Sequence, residues 1–164
     1  MRDDGTLERL ARGLYRLADL PPLSHPDYVT VARKVPEGVI CLLSALAYHE
    51  ITSLVPHLVD VALEMGAERP RLDYPPLRVF WFSGAAWSEG IEAHQLDGIA
   101  VRFYGPAKCV ADAFKMRRRL GLDIAIEALR NYRQSAAFSA SELVHYTRVC
   151  RVERIVRPYL EVLL

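Results

Sequence analysis

Apolar and polar positions alternate with two different periods along this chain, and the period changes where the elements change. The N-terminal stretch "GTLERLARGLYRLAD" reads as one β-hairpin, with strands near Leu7–Leu10 and Leu14–Leu17 and a tight turn through Ala11-Arg12-Gly13. "LPPLSHP" (20–26) is a proline-broken linker. "DYVTVARKV" (27–35) places Val29, Ala32 and Val35 on one helical stripe behind an Asp that can cap it. "VICLLSALAYHEIT" (39–52) is almost wholly apolar and predicts a buried helix ending near Glu50, with Val39 and Ile40 open to an extended reading. "PHLVDVALEMG" (56–66) alternates and predicts a half-buried strand. "RVFWFSG" (78–84) is β-branched and aromatic and predicts a central strand. A short connector, "AAWSEG", follows. "IEAHQLDGIAVRFYG" (91–105) sets Asp97-Gly98 between two alternating runs, the signature of a two-residue hairpin turn.

Beyond Gly105 the period becomes helical. Pro106 suits a first helical position, and "PAKCVADAFKMRRRLG" (106–121) predicts one helix closed by Gly121. A second helix is predicted over 122–135, and a third opens at Ser139 with Glu142 three residues on, the spacing of a capping box. A last helix over 153–164 is bent or restarted at Pro158. Strands grouped before helices predict an α+β fold: a small antiparallel or mixed sheet packed with helices, ending in a C-terminal helical bundle. The N-terminal hairpin stands apart from it.

Length and composition add little to this and remove several classes. A chain of 164 residues, half of them apolar, can bury a core without staples. The three cysteines, Cys41, Cys109 and Cys150, form no CxxC pair and are odd in number, which predicts buried, reduced thiols in a cytoplasmic protein. No signal peptide or run of transmembrane length is apparent. No metal-ligand spacing joins the five histidines, and no nucleophile elbow or P-loop is present. Neither cofactor nor metal is expected. Asp60 and Glu64, on a predicted strand, are the only pointers to a metal-dependent nuclease, and solvent-facing strand acids are the alternative.

Charge does change the picture. The net charge is +1, yet from Lys108 onward the chain holds eleven of its 21 basic residues and six of its 20 acidic ones. That asymmetry suggests a face for a polyanion or an acidic partner. The candidates are Lys108, Lys115, Arg117, Arg118 and Arg119 on the helix after Pro106. Arg148, Arg151 and Arg154 form a second stripe, spaced to line one face of a helical end. Arg9, Arg12 and Arg16 on the hairpin complete the set. For each group a solvated surface is the competing reading. Asp112 has helical spacing to Lys108 and is near Lys115, so internal pairing competes with ligand binding there. Phe80, Trp81 and Phe82 read as core or sheet face, and Trp87, in a connector, as the aromatic for a surface role.

The ordered series "RGLYRL", "PEGVICLLSALAYHEITS", "PHLVDVAL", "RPRLDYPPLRVFWFSG" and "GIEAHQLDGIAVRFYGPAKCVADAFKMRRRLGLDIAIEALR" resembles the AbiEi-type abortive-infection antitoxins, across roughly residues 5–162. The resemblance implies an α+β antitoxin domain over 21–164 and no catalysis. It implies a cognate nucleotidyltransferase-like toxin and type IV action, for which direct contact between the two is not required. It also implies that "RGLYRL", within 1–20, is the wing of a winged helix-turn-helix. Members carry three helices before that wing. Here Met1 to Thr6 precede it, so either Met1 is an internal start or the antitoxin is shortened. The recognition helix that would read promoter DNA is therefore not expected, and a lone wing contacts backbone, which positions without specifying sequence. A general DNA-binding repressor that grips phosphate backbone is the alternative function.

Overall fold

The structure, a computed structural model, describes residues 7–11, 14–17 and 25–163, with side chains from His25 onward. Strands β1 (Leu7–Ala11) and β2 (Leu14–Leu17) pair antiparallel as a two-stranded sheet of their own, with Glu8 opposite Arg16 and Arg9 opposite Tyr15. Arg12 lies outside the described residues, as do the side chains of Arg9 and Arg16.

The main body is α+β. Helix α1 (Pro26–Lys34) precedes a two-residue strand β3 (Val39–Ile40) and helix α2 (Leu42–Tyr48). Strands β4 (Val59–Glu64) and β5 (Leu77–Phe82) follow, then a single turn α3 (Gly84–Ser88) and the hairpin β6 (Ile91–Leu96) and β7 (Ile99–Tyr104). The rest is helical: α4 (Pro106–Lys115), α5 (Arg117–Leu120), α6 (Leu122–Arg133), α7 (Ala140–Val149) and α8 (Glu153–Leu163). The five strands form one mixed sheet in the order β5-β4-β3-β7-β6. β4–β5 and β3–β7 are parallel, while β3–β4 and β6–β7 are antiparallel.

Directly paired residues share a face of a sheet. Val79, Val61, Ile40 and Phe103 therefore form a row across one face, and Phe80, Ala62 and Val39 a row on the other. Helix α1 covers the first face, with the Tyr28 ring edge-on to Phe103 at 5.5 Å. Helix α4 covers the second, with Lys108 above the rings of Tyr104 and Phe82. Helix α2 touches both: Leu43 N–H donates to Asp60 on the second face, and Tyr48 stacks on Phe103 at 4.0 Å on the first. Helices α6, α7 and α8 pack outside α4, which is enclosed between them and the sheet.

Several expectations are corrected here. β4 is buried through its first five residues rather than half-exposed, because both faces of this interior strand are covered. β5 is an edge strand, not a central one; its aromatic run is buried because helices cover a face, not because strands flank it on both sides. The connector 85–90 contains a helical turn, and Trp87 in it is half-buried against the core, its carbonyl accepting from the Tyr104 hydroxyl. The helix predicted over 106–121 divides at Met116. Its stop is as expected: Gly121 has φ 109°, and a Cβ there would stand 2.6 Å from Asp123 Oδ1. The Asp97-Gly98 hairpin has both turn residues at positive φ, 52° and 81°. Ser139 caps α7 by accepting from Glu142 N–H.

Candidate functional site

Strand β5 sends alternate side chains to the helical face of the sheet, and the sequence "RVFWF" makes those residues Arg78, Phe80 and Phe82. Each aromatic ring is met by two cations. Arg78 and Arg119 stand 5.5 and 4.2 Å from the Phe80 centroid. Lys108 and Lys115 each stand 5.0 Å from Phe82. A cation over an aromatic face gains about 0.5–1 kcal/mol where exposed and more when desolvated. Strand period and helix ends together thus set Arg78, Arg119 and Lys115 against these rings at the sheet edge, while Lys108 meets Phe82 from the core.

At the C-terminal end of β5 this surface opens into a cleft of about 440 Å³. Ser83, Gly84 and Ala85 form one side, and Lys115, Cys150 and Arg151 the other. Arg151 occupies the left-handed region, φ 59°, in the break between α7 and α8. Lys115 ends α4, where a cation also favours the helix dipole. Two basic residues far apart in sequence, Lys115 and Arg151, line this cleft together.

Of the residues expected to bind, Lys108 is corrected outright. It has no exposed surface and lies in the core, its ammonium 2.8 and 3.0 Å from the two oxygens of Asp112, one turn on. The pairing alternative is the one realised. The reason is that α4 is buried on every side from Ala107 to Phe114, so a charge there needs a partner from its own helix or its neighbours. Cys150 adds a third contact, its thiol donating to Asp112 Oδ1. Burial nevertheless holds the Asp112 carboxyl above the usual range.

The remaining candidates reach the surface to different degrees. Arg118, Arg119, Arg151 and Arg154 are exposed, and Lys115 and Arg117 are half-buried. Arg117 is engaged in closing α4, donating to the Phe114 carbonyl. Arg148 is exposed but paired with Glu153, which Arg157 also approaches. Arg148, Arg151 and Arg154 do not line one helical face, because the chain leaves helical geometry between α7 and α8. Arg78 and Ser83 are additions to the expected residues. The alternation of Arg78 with Phe80 is a usable signal in the sequence; the position of Ser83 beside a helix junction some seventy residues away is not.

The strand acid Asp60 and the three thiols are held in the interior. Asp60 is wholly buried and not solvent-facing. It accepts from Arg78 Nε and Nη2, at 2.7 and 2.9 Å, and from the Leu43 N–H at 2.9 Å, so its oxygens hold the start of α2 and the β4–β5 pair. Burial pushes the Cys41 and Cys109 thiols well up and the Cys150 thiol up to about 12, which keeps all three protonated at neutral pH. They are free and buried. Among the described residues no group of three His, Cys, Asp or Glu could hold a metal ion, and no helix is long and apolar enough to cross a membrane. No protein-family model matches the chain, and no curated protein matches it significantly.

Proposed function

We propose that this protein acts by binding: it is the antitoxin and regulator component of a bacterial type IV toxin–antitoxin system of abortive infection, opposing a nucleotidyltransferase-like toxin in the cytoplasm. The basic surface of Lys115, Arg118, Arg119, Arg151 and Arg154 is its contact for a phosphate-rich target. The observation that carries the binding reading is the cleft that sets Lys115, from the first basic segment, beside Arg151, from the second. The ordered resemblance to AbiEi-type antitoxins supplies the system. A binding role also suits a molecule whose buried acid, Asp60, is occupied by three N–H donors.

Co-expression with the neighbouring toxin-like gene in a bacterial host tests the reading. Restored growth is the expected result, with the rescue reduced when Arg118 and Arg154 are changed together to Glu. Continued arrest beside the folded wild-type chain overturns the antitoxin assignment. A repressor that grips backbone is distinguished by a gel shift that weakens steeply with salt while rescue fails. Nuclease chemistry at Asp60 requires cleavage lost in Asp60→Ala but kept in Arg78→Gln, since only the acid would touch the reacting atoms.

A further inference from the structure

We infer that the cleft at the end of β5 is a binding site for a small phosphomonoester, of nucleotide or sugar-phosphate size. Its lining holds two cations, Lys115 and Arg151, and the hydroxyl of Ser83, with no carboxylate among the described residues that form it. Lys115 has the Phe82 ring beneath it as its aromatic contact and forms no ion pair with an acid among the described residues. Arg151 makes no side-chain hydrogen bond or ion pair with any described residue. Ser83 precedes α3 without capping it, so its hydroxyl is available.

The carboxylate bonded to this wall from behind is accounted for. Asp112 lies behind Cys150, bonded to its thiol and saturated by Lys108 in the core. The two Asp112 oxygens are therefore bonded within the core, and although the Lys115 charge is felt by Asp112 through the wall, neither Lys115 nor Arg151 is ion-paired at the cleft. A guanidinium presents a planar fork to two phosphate oxygens, and an ammonium and a hydroxyl serve the remaining oxygen. The volume, about 440 Å³, is in the range of small-molecule sites and exceeds what a bare anion fills. Gly84 adds room, since a Cβ built on it would meet nothing within 4 Å. The apolar part of the wall, Ala85, Ala86 and Val149, suits the non-phosphate part of such a ligand.

The test is calorimetric titration of the full chain with AMP, ribose 5-phosphate, inorganic phosphate and adenosine. The two phosphomonoesters bind, inorganic phosphate binds more weakly, and adenosine does not bind. Lys115→Met and Arg151→Gln each reduce phosphomonoester affinity at least tenfold, while Arg151→Lys recovers part of the loss. Arg33→Ala, on α1 across the sheet, leaves affinity unchanged. Circular dichroism and thermal unfolding establish that each variant is folded. Absence of binding by every phosphomonoester overturns the inference, as does binding that survives both charge-removing substitutions. Binding seen only with an oligonucleotide also overturns it and assigns the cleft to the wider basic surface. Toxin rescue is measured separately, so failure here is distinguishable from failure of the antitoxin reading.

Discussion

At the first turn of α4, Lys108 has no contact with water, two oxygens of Asp112 on its ammonium and the Tyr104 ring 3.8 Å away. At the last residue of the same helix, Lys115 lines an open cleft and rests on Phe82. Seven residues separate them, about two turns, so both point from nearly the same side of the helix. The helix leaves β7, an interior strand, and its far end with α5 reaches β5 at the sheet edge. Depth in the layer, set by which strand lies beneath, decides whether a lysine on this helix is buried and paired or reaches the cleft. The interior Lys108 is paired within the protein, whereas Lys115 at the sheet edge forms no ion pair with a described acid.

Removal of each lysine should separate the two ends most sharply. Lys108→Met strands a buried carboxyl and should cost about 3–5 kcal/mol in urea unfolding. The double variant Lys108→Met/Asp112→Met should recover at least half of that, because matched apolar residues need no compensation. Lys115→Met keeps its stem against Phe82 and should cost less than about 1 kcal/mol. Equal losses at the two positions would end the distinction drawn between them.

Asp60 and Arg78 test an intermediate case, since one partner is wholly buried and the other is 29 % exposed. Asp60→Asn weakens three charge-assisted bonds but leaves a polar group in place, so a loss of about 2–3 kcal/mol is expected. Arg78→Met should cost a similar amount by leaving the acid in an uncompensated interior. If Asp60→Asn is neutral in stability, the ion pair is not what holds β4, β5 and the start of α2 together.

The local signals read from the chain are those whose cause is local. Asp97-Gly98 demands positive φ at two adjacent residues, and few other residue pairs supply it. Gly121 and the Ser139–Glu142 pair end and begin helices by their own backbone chemistry. The fate of Lys108 has no such signal. A Lys and an Asp four apart describe an exposed helical pair and a buried one equally well, and only the packing of α6 and α7 over α4 selects between them. The strand "RVFWF" reads as central because its residues are apolar on both faces. Helices and the Ala67 loop, whose carbonyl accepts from Trp81, bury it at an edge. The cleft is illegible for the same reason, since its two sides come from segments joined only by the tertiary fold.

A smaller effect concerns pH on the interior side of the comparison. His49 donates its Nε2–H to the Tyr104 carbonyl, and burial holds its pKa below the ordinary 6.5, with His94 acting in the same sense and the carbonyl bond and Glu92 opposing. As pH falls below that ordinary value the unfolded chain takes up the proton more readily than the folded one, so stability declines on acidification and is level above it. The urea midpoint should therefore fall between about pH 7.5 and 5.5, and His49→Gln should lessen the fall. An unchanged slope in the variant would place the pH dependence on other groups.

The smallest stability effect is expected at the surface, where the proposed contact with phosphate is read instead by affinity. Arg118 and Arg154 are exposed and form no ion pair with a described residue, so Arg118→Glu/Arg154→Glu should leave unfolding free energy within about 0.5 kcal/mol of wild type. Binding to a generic oligonucleotide should weaken at every salt concentration. The slope of log affinity against log salt should become shallower by about 0.7–0.9 for each phosphate no longer neutralised. The two readouts together are what make the test decisive. A variant that loses affinity and stability in parallel would show that the edge charges also support the fold. A variant that keeps its salt slope would show that phosphate is met elsewhere. A shallower slope at constant stability is the outcome that follows if Lys108 and Asp112 have taken the structural role inside α4 and left the charges beyond it free to bind.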